Sequence, residues 1–345
     1  MQFSPSVYEH AAKVIGKSPW EVSRSGDLLS QGNIEAFRLY RHEPVVVGID
    51  IYNLEAEAYG ATVERPSGNG IPAIHRHPYS TTKELMNLGP FNPKTDGRIP
   101  MAIQAAKRVA KECPEADVRV PVAGPFSIAT NLMGADNLLC EIATSPDSVI
   151  ETLFHLVTGQ IQFAKEIVRN NLDIAFFESA AVPPLMSPQD FRRIELPALM
   201  SIIKKAAAVV GHPVPCVMGG NTAPILEAIL ETGTGYVCCP AATDQKMFME
   251  KMKAHPDVMV RINMDPRPIA CPEPAEGTSG NLKAVEKEVD RVFELANNRK
   301  KVCIGTGCLP YETDPEVVLK TREYILSTCA CDSLQADAGA GRNVQ

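Results

Sequence analysis

Short, almost continuous apolar runs alternate with stretches of helical periodicity along most of this 345-residue chain. After Ser145-Pro146-Asp147, apolar residues recur at helical spacing, which predicts a long helix with one buried face. A capping residue followed by an early proline, as at Ser187-Pro188, is typical of a helix start directly after a strand. The strand candidates between these helices are Val45–Ile49, Val118–Val122, Ile174–Phe177, Val214–Met218, Gly235–Cys239, Val258–Ile262 and Val302–Ile304.

Strands this uniformly apolar suit a parallel sheet that helices cover on both faces. We expect an eighth strand within Thr62–Glu64 or Ile71–Ile74. The pattern therefore predicts one α/β domain over residues 1–345, a closed (β/α)₈ TIM barrel of about 250 residues with flanking segments. Residues 1–35 are predicted to form an N-terminal helical extension, and residues 329–345 a frayed C-terminal tail. An open doubly wound sheet is the alternative, but no Gly-x-Gly-x-x-Gly follows the first strand candidate.

Composition narrows the classes of partner and compartment. The 34 basic and 41 acidic residues give a net charge of −7, and no basic block stands out. Nucleic acid and anionic membrane surfaces are therefore not expected partners. No apolar run approaches the roughly 20 residues of a membrane span, and residues 1–5 lack the character of a signal peptide. The ten scattered cysteines suit reduced thiols. We expect a cytoplasmic protein. The sequence leaves its oligomeric state open, and a homodimer is one possibility.

The residue Cys308 stands where barrel enzymes place their chemistry. It ends an apolar run and a Gly-rich turn, and Thr313-Asp314-Pro315 then predicts a helix start. The carboxyl ends of parallel strands form one mouth in a barrel, so a thiol there is expected to be functional rather than a small apolar filler. Glu178 follows an apolar run, and an unpaired buried carboxylate is costly. Other residues expected at this mouth are Asp50, Tyr52, Asn53, Cys238, Cys239, Asn263 and Asp265.

Several of these segments resemble a known superfamily. The resemblance covers about residues 35–328, in the same order as in that superfamily, and the superfamily is that of uroporphyrinogen decarboxylase. It implies a (β/α)₈ barrel with one of two activities, the decarboxylation of tetrapyrroles or zinc-dependent methyl transfer with corrinoid proteins. The segments that carry it are residues 37–41 and 50–60, Gly124–Ala129, Gly219–Thr222, Asn263–Pro266 and the turn at Cys308.

Several sequence features separate the branches of this superfamily. Asp50 matches the site aspartate of the decarboxylases, but Asn131 stands where their tyrosine is expected. Residues 1–27 also lack the Arg-rich segment that grips the substrate carboxylates, and a polycarboxylate porphyrinogen needs several cations. Residues 55–60 and Cys308 instead resemble the corrinoid-dependent methyltransferases. The resemblance therefore favours methyl transfer.

The same resemblance implies a zinc site with an altered ligand set. A His-x-Cys pair on the fifth strand is expected at Val217 and Gly219, so both of those ligands are missing, whereas Cys308 is retained. Zinc would then need other ligands, and the candidates are Cys239, Glu178 and Cys216. Because Cys238 and Cys239 are adjacent, one faces the barrel and the other the helices. Cys216 would reach the metal only through a bulge in its strand.

We therefore expect a methyltransferase that moves a methyl group from a small donor, preferably a methoxylated aromatic compound, to the Co(I) corrinoid of a partner protein. Zinc or a protonated Glu178 would activate the leaving group, and Asp50 is the second catalytic candidate. The alternatives are transfer from the corrinoid to a thiol or tetrahydrofolate, porphyrinogen decarboxylation, and a non-catalytic docking subunit for the corrinoid protein. The candidate substrate contacts are Tyr52, Asn53, Asn131, Asp265 and Tyr311.

Overall fold

The computed structural model describes residues 1–270, 279–296 and 299–340. Its parallel strands form a sheet of eight in the order β1-β8-β7-β6-β5-β4-β3-β2, which confirms the predicted TIM-barrel-like α/β fold. Each predicted apolar run contains a strand. The strands are β1 (Gln2–Ser6), β2 (Val45–Val46), β3 (Val118–Ala123), β4 (Asp173–Phe177), β5 (Pro215–Val217), β6 (Tyr236–Cys239), β7 (Met259–Asn263) and β8 (Val302–Cys308).

Helices surround the sheet and mostly begin where the sequence predicts. Pro146 and Pro188 each occupy the first turn of a helix. One π-helical segment, Phe191–Glu195, and one 3₁₀ turn, Ala223–Ile225, interrupt the α-helices. The α-helices are α1 (His10–Val14), α2 (Pro19–Ser23), α3 (Gly26–Tyr40), α4 (Leu54–Ala58), α5 (Thr82–Met86), α6 (Ile99–Glu112), α7 (Pro125–Met133), α8 (Ala135–Thr144), α9 (Pro146–Arg169), α10 (Pro188–Asp190), α11 (Leu196–Val210), α12 (Leu226–Glu231), α13 (Gln245–Met252), α14 (Arg267–Ala270), α15 (Ser279–Ala296) and α16 (Pro315–Ala340).

The eighth strand is not where the sequence predicted it. The segments around residues 62–64 and 71–74 make only an isolated antiparallel bridge between Glu64 and Ala73. The missing strand is instead β1, so the predicted N-terminal extension opens with a strand of the barrel before its helices begin. β1 escaped prediction because its two serines and its proline interrupt the apolar pattern. At the other end, α16 runs to Ala340, and only residues 341–345 of the predicted tail lie outside the described residues.

The sheet curls until its first strand approaches the segment that leads into β2. The Ser4 hydroxyl donates to the Glu43 backbone carbonyl at 2.6 Å, and Gln2 Nε2 donates to the Glu43 carboxylate at 2.9 Å. Glu43 lies just before β2, so these bonds join the first strand to the second. Among the helices of the described residues, none is long and apolar enough to cross a lipid bilayer.

The barrel interior is incompletely filled. Inward positions of such barrels usually hold layers of bulky side chains. Here several are small, among them Ala175 and Cys303, and they line a cavity of about 430 Å³. The cavity extends to the amino-terminal ends of the strands, where Pro213 and Lys301 lie on its rim. Its carboxyl end is bounded by the aromatic rings of Tyr8 and Phe177, packed edge to face at 6.0 Å, and Tyr52 packs edge to face on Phe177 at 6.3 Å.

Candidate functional site

A short chain of polar groups crosses the carboxyl-terminal mouth of the barrel. The half-buried Tyr52 hydroxyl lies 2.7 Å from the Ser179 hydroxyl. The Gly219 backbone N–H donates to the same serine oxygen at 3.0 Å, which links the ends of β4 and β5. Burial, and less strongly the neighbouring Tyr8 and Cys308, raise the pKa of Tyr52 well above its usual value. Tyr52 therefore remains a hydroxyl donor at neutral pH.

The thiol of Cys308 lies at this mouth, as the sequence predicted. Cys308 ends β8 opposite Ser6 of β1, and it retains access to solvent. The protein atoms around the thiol, and then the charge of Glu9, raise the pKa of Cys308 to about 12. A thiol with that pKa is almost wholly protonated at neutral pH. In this state Cys308 is a weak hydrogen-bond donor and a poor nucleophile.

The carboxyl group of Glu178 does not open on the mouth. It is fully buried, and it accepts hydrogen bonds from Ser127 N at 3.1 Å, Ser127 Oγ at 2.5 Å and Ala180 N at 3.1 Å. A β carbon at Gly124 would overlap this carboxyl group, so a glycine is needed there. Ser127 is in the first turn of α7, where the helix dipole favours a negative group. Desolvation nevertheless raises the pKa of Glu178, because it outweighs these donors. The carboxyl group of the predicted acid Glu178 therefore lies against the first turn of α7, which it anchors, and its catalytic role stays a prediction.

The predicted catalytic residue Asp50 is also held within the fold. Arg98, which directly precedes α6, donates to both of its carboxylate oxygens, at 2.8 and 2.6 Å, and Arg98 also pairs with Glu57. Asn53 Nδ2 donates to Asp50 at 3.1 Å and to the Pro72 carbonyl at 2.8 Å. Both Asp50 and Asn53 are buried. The two residues lie at the predicted strand end, but their polar groups are engaged in connecting the loop after β2 to α6.

The remaining predicted substrate contacts lie around the mouth. Asn131 of α7 is half-buried and donates to the Tyr52 backbone carbonyl at 2.6 Å, so it positions Tyr52. Tyr311 follows β8, and Lys13 Nζ lies 5.4 Å from the centre of its ring. Asp265 follows β7, and hydrogen bonds from Arg267 lower its pKa. Of these three, Asn131 and Tyr311 are available to a ligand in the mouth, whereas Asp265 is already ion-paired.

The four candidate zinc ligands do not converge. Cys239 is fully buried in the large core between sheet and helices, whereas its neighbour Cys238 faces inward beside Arg261. Cys216 lies between the inward-facing Pro215 and Val217, so it also faces the helices, and no bulge turns it back. Among the residues that the structure describes, no group of three or more His, Cys, Asp or Glu side chains is arranged to hold a metal ion. These residues therefore do not fit the predicted zinc site.

Sequence reasoning missed three residues that the structure brings to the barrel axis. Tyr8 follows β1, and Ser179 bonds Tyr52. Arg261 projects into the interior cavity from the middle of β7. The signal for Arg261 was present in the sequence, because a charged residue interrupts the apolar run Val258–Ile262. A charge within a buried strand needs a partner or a ligand.

Comparisons with known proteins agree with this geometry. The family model described as uroporphyrinogen decarboxylase (URO-D) matches residues 2–325. Among solved structures, a methyltransferase from Methanosarcina mazei is similar with a TM-score of 0.75 at 21% sequence identity. That similarity covers 94% of this chain and 93% of the other, and at this identity it bears on the fold. No curated protein matches the chain.

Proposed function

The chain belongs to the uroporphyrinogen decarboxylase family, and we propose that it is a methyltransferase that moves a methyl group from a small donor to the Co(I) corrinoid of a separate protein. The observation that carries this proposal is the similarity to the Methanosarcina mazei methyltransferase over nearly the whole of both chains. The donor class that we propose is a methoxylated aromatic compound. Tyr52 and Tyr311 are the half-buried rings at the mouth that could contact it, whereas Phe126 and Phe177 are buried.

The charges around the mouth support methyl transfer over decarboxylation. A porphyrinogen carries several carboxylates, which would require free cationic side chains. Arg98 is buried and paired with Asp50 and Glu57, and Arg267 is paired with Asp265. Both arginines are therefore already neutralised within the protein. A small, weakly charged donor suits such a mouth better than a polyanion.

The chain must then bind the donor and supply a proton to the departing oxygen. The corrinoid supplies the nucleophile, so no nucleophilic side chain is required. Tyr52 is the residue best placed to hold the proton, because it is half-buried, stays protonated, and is fixed by Ser179 at 2.7 Å. Ser179 in turn accepts the Gly219 N–H, which holds its hydroxyl in place. Tyr52 donates to the donor oxygen as the carbon–oxygen bond breaks, and general acids of this kind contribute roughly 10²–10⁴-fold.

The experiment mixes the purified protein with a reduced corrinoid protein and a methoxylated aromatic compound. We expect the Co(I) absorbance to decay while free phenol forms in equal amount, and no donor to be consumed by the enzyme alone. Tyr52→Phe should slow the reaction by roughly 10²–10⁴-fold if Tyr52 is the acid. Tyr324→Phe is the matched control, because its hydroxyl bonds Asp290 on the exposed outer helices.

Three outcomes would contradict the proposal. Demethylation of a methylated corrinoid by a thiol or tetrahydrofolate, with no response to methoxylated donors, would assign the reverse direction of transfer. Release of carbon dioxide from a porphyrinogen would assign the decarboxylase activity. Binding of the corrinoid protein without any methyl transfer would assign a docking subunit.

A further inference from the structure

Arg261 is an arginine buried inside the barrel. Its residue is 6% exposed, and its side chain lines the interior cavity from β7. Nη2 lies 3.6 Å from Cys238 Sγ, a weak acceptor, and Nε has no hydrogen-bond partner. The sequence makes room for this side chain, because a β carbon at Gly305 would lie 2.5 Å from Arg261 Cδ. The fold thus makes space for the guanidinium but leaves its hydrogen-bond donors without strong acceptors.

The positive charge of Arg261 has no compensating negative charge in the described part of the chain. No carboxylate there forms an ion pair with it, whereas Arg119 at the cavity entrance is paired with Asp117 and Asp173. Its neighbours Tyr8, Tyr236 and Cys303 are neutral at pH 7, because burial raises their pKa values, that of Cys303 to about 11. An unpaired buried charge is strongly unfavourable, so a group of this kind calls for an anion.

The cavity next to Arg261 has the size and character of a small-molecule site. Its volume of about 430 Å³ falls within the roughly 300–1,000 Å³ of such sites, which combine apolar walls with a few polar groups. The walls include Val46, Phe177, Val217 and Met259, of which all but Phe177 retain some solvent access. Access is from the amino-terminal ends of the strands, and the rings of Tyr8 and Phe177 bound the other end.

We propose that the barrel interior binds a small organic carboxylate with an apolar body, which enters from the amino-terminal face and pairs with the Arg261 guanidinium. The carboxylate supplies the missing negative charge. Its two oxygens accept charge-assisted hydrogen bonds from the unsatisfied N–H groups of the Arg261 guanidinium, in a fork-like arrangement. The apolar body lies against the walls formed by Val46, Val217 and Met259. The rings of Tyr8 and Phe177 lie between this cavity and the mouth, and its occupancy can be measured without methyl transfer.

The test uses benzoate as the probe and benzamide as its uncharged isostere, with binding measured by calorimetry on the full chain. We expect wild type to bind benzoate and not benzamide. Arg261→Met keeps the bulk of the side chain and removes its charge, so benzoate binding should weaken by about 10–150-fold. Arg108→Met, which removes the same charge on α6 from an exposed ion pair with Asp27 of α3, should bind benzoate as wild type does.

The comparison of benzoate with benzamide uses wild-type protein alone and so does not depend on the folding of a variant. Arg261→Lys is a second variant besides Arg261→Met. Lysine keeps the charge but lacks the planar fork, so we expect binding of intermediate strength. Failure of wild type to bind benzoate would overturn the proposal. Equal binding of benzamide, or unchanged affinity in Arg261→Met, would overturn it as well. None of these readouts uses a methyl donor or a corrinoid, so they are independent of the proposed activity.

Discussion

Substituting Glu178 by glutamine separates a structural role from a catalytic one. One carboxyl oxygen of Glu178 accepts hydrogen bonds from Ser127 Oγ and Ala180 N, and the other accepts one from Ser127 N. A glutamine side chain has a single acceptor oxygen. Whichever way its amide is turned, an NH₂ group must face a backbone N–H of Ser127 or Ala180. Because the site is fully buried, water cannot replace the lost acceptor.

The size of the effect follows from that one unsatisfied group. A buried donor without its acceptor costs about 1–3 kcal/mol. For 345 residues, an unfolding entropy near 2.1 cal/mol/K per residue amounts to about 0.7 kcal/mol/K, so the thermal midpoint should fall by about 1.5–4 °C. The rate of the proposed methyl transfer per folded molecule should change far less than the roughly 10²–10⁴-fold expected on removal of a general acid.

Calorimetry and the corrinoid absorbance assay together decide this prediction. Glu151→Gln is the matched control, because Glu151 is exposed on α9, and its free energy of unfolding should stay within about 0.5 kcal/mol of the wild-type value. An unchanged midpoint in Glu178→Gln, combined with a rate loss of roughly 10²-fold or more, would refute the structural assignment. It would return Glu178 to the role of general acid.

Three further predictions concern the Asp50–Arg98 ion pair, the Cys308 thiol and two buried histidines. Asp50→Asn removes the bidentate partner of Arg98 but leaves Glu57 paired with it, so urea unfolding should show a loss of about 1–3 kcal/mol; an unchanged unfolding midpoint would argue against this anchor. With a pKa of about 12, Cys308 should react with iodoacetamide at pH 8 on the order of 10³-fold more slowly than free cysteine, as read by site-resolved mass spectrometry. Labelling as fast as that of free cysteine would contradict the raised pKa. Burial lowers the pKa values of His10 and His42 from 6.5 to about 4. The two neutral imidazoles therefore favour the folded state fully above pH 6.5. Between pH 6.5 and 4 the free energy of unfolding falls by about 3 kcal/mol for each histidine. Urea unfolding at pH 7, 5.5 and 4 measures this loss, and a constant stability over that range would exclude it.

Much of the fold could be predicted from local pattern. The apolar runs from Val45 to Ile304 contain the strands β2 to β8, and the early prolines at 146 and 188 mark helix starts. These signals are local, because a buried parallel strand must be apolar on both faces and a proline suits the first turn of a helix. β1 was missed since Ser4 and Ser6 break that pattern, and its place is secured by pairing with β8, about 300 residues away.

The candidate site was predictable by position but not by direction. The sequence placed Glu178, Cys239 and Cys308 correctly at strand ends. Successive side chains of a strand point to opposite faces of the sheet, so a shift of one residue decides whether a side chain at a strand end faces the mouth or the helices. In the structure Cys308 reaches solvent at the mouth, whereas Glu178 and Cys239 are buried on the helix side. The inference of a zinc site depended on that direction.

The sequence by itself determined the order of strands β2 to β8, the barrel fold and the position of Cys308, because each depends on short-range periodicity and turn chemistry. The tertiary structure alone decided which polar groups are already engaged and which are left over. The pairing of Asp50 with Arg98 joins residues 48 positions apart. Arg261 has no ion-pair partner in the described part of the chain because of the side chains that five or more strands direct into the barrel interior around it. Such contacts are set by the closure of the sheet, since only closure brings the inward residues of distant strands around one axis.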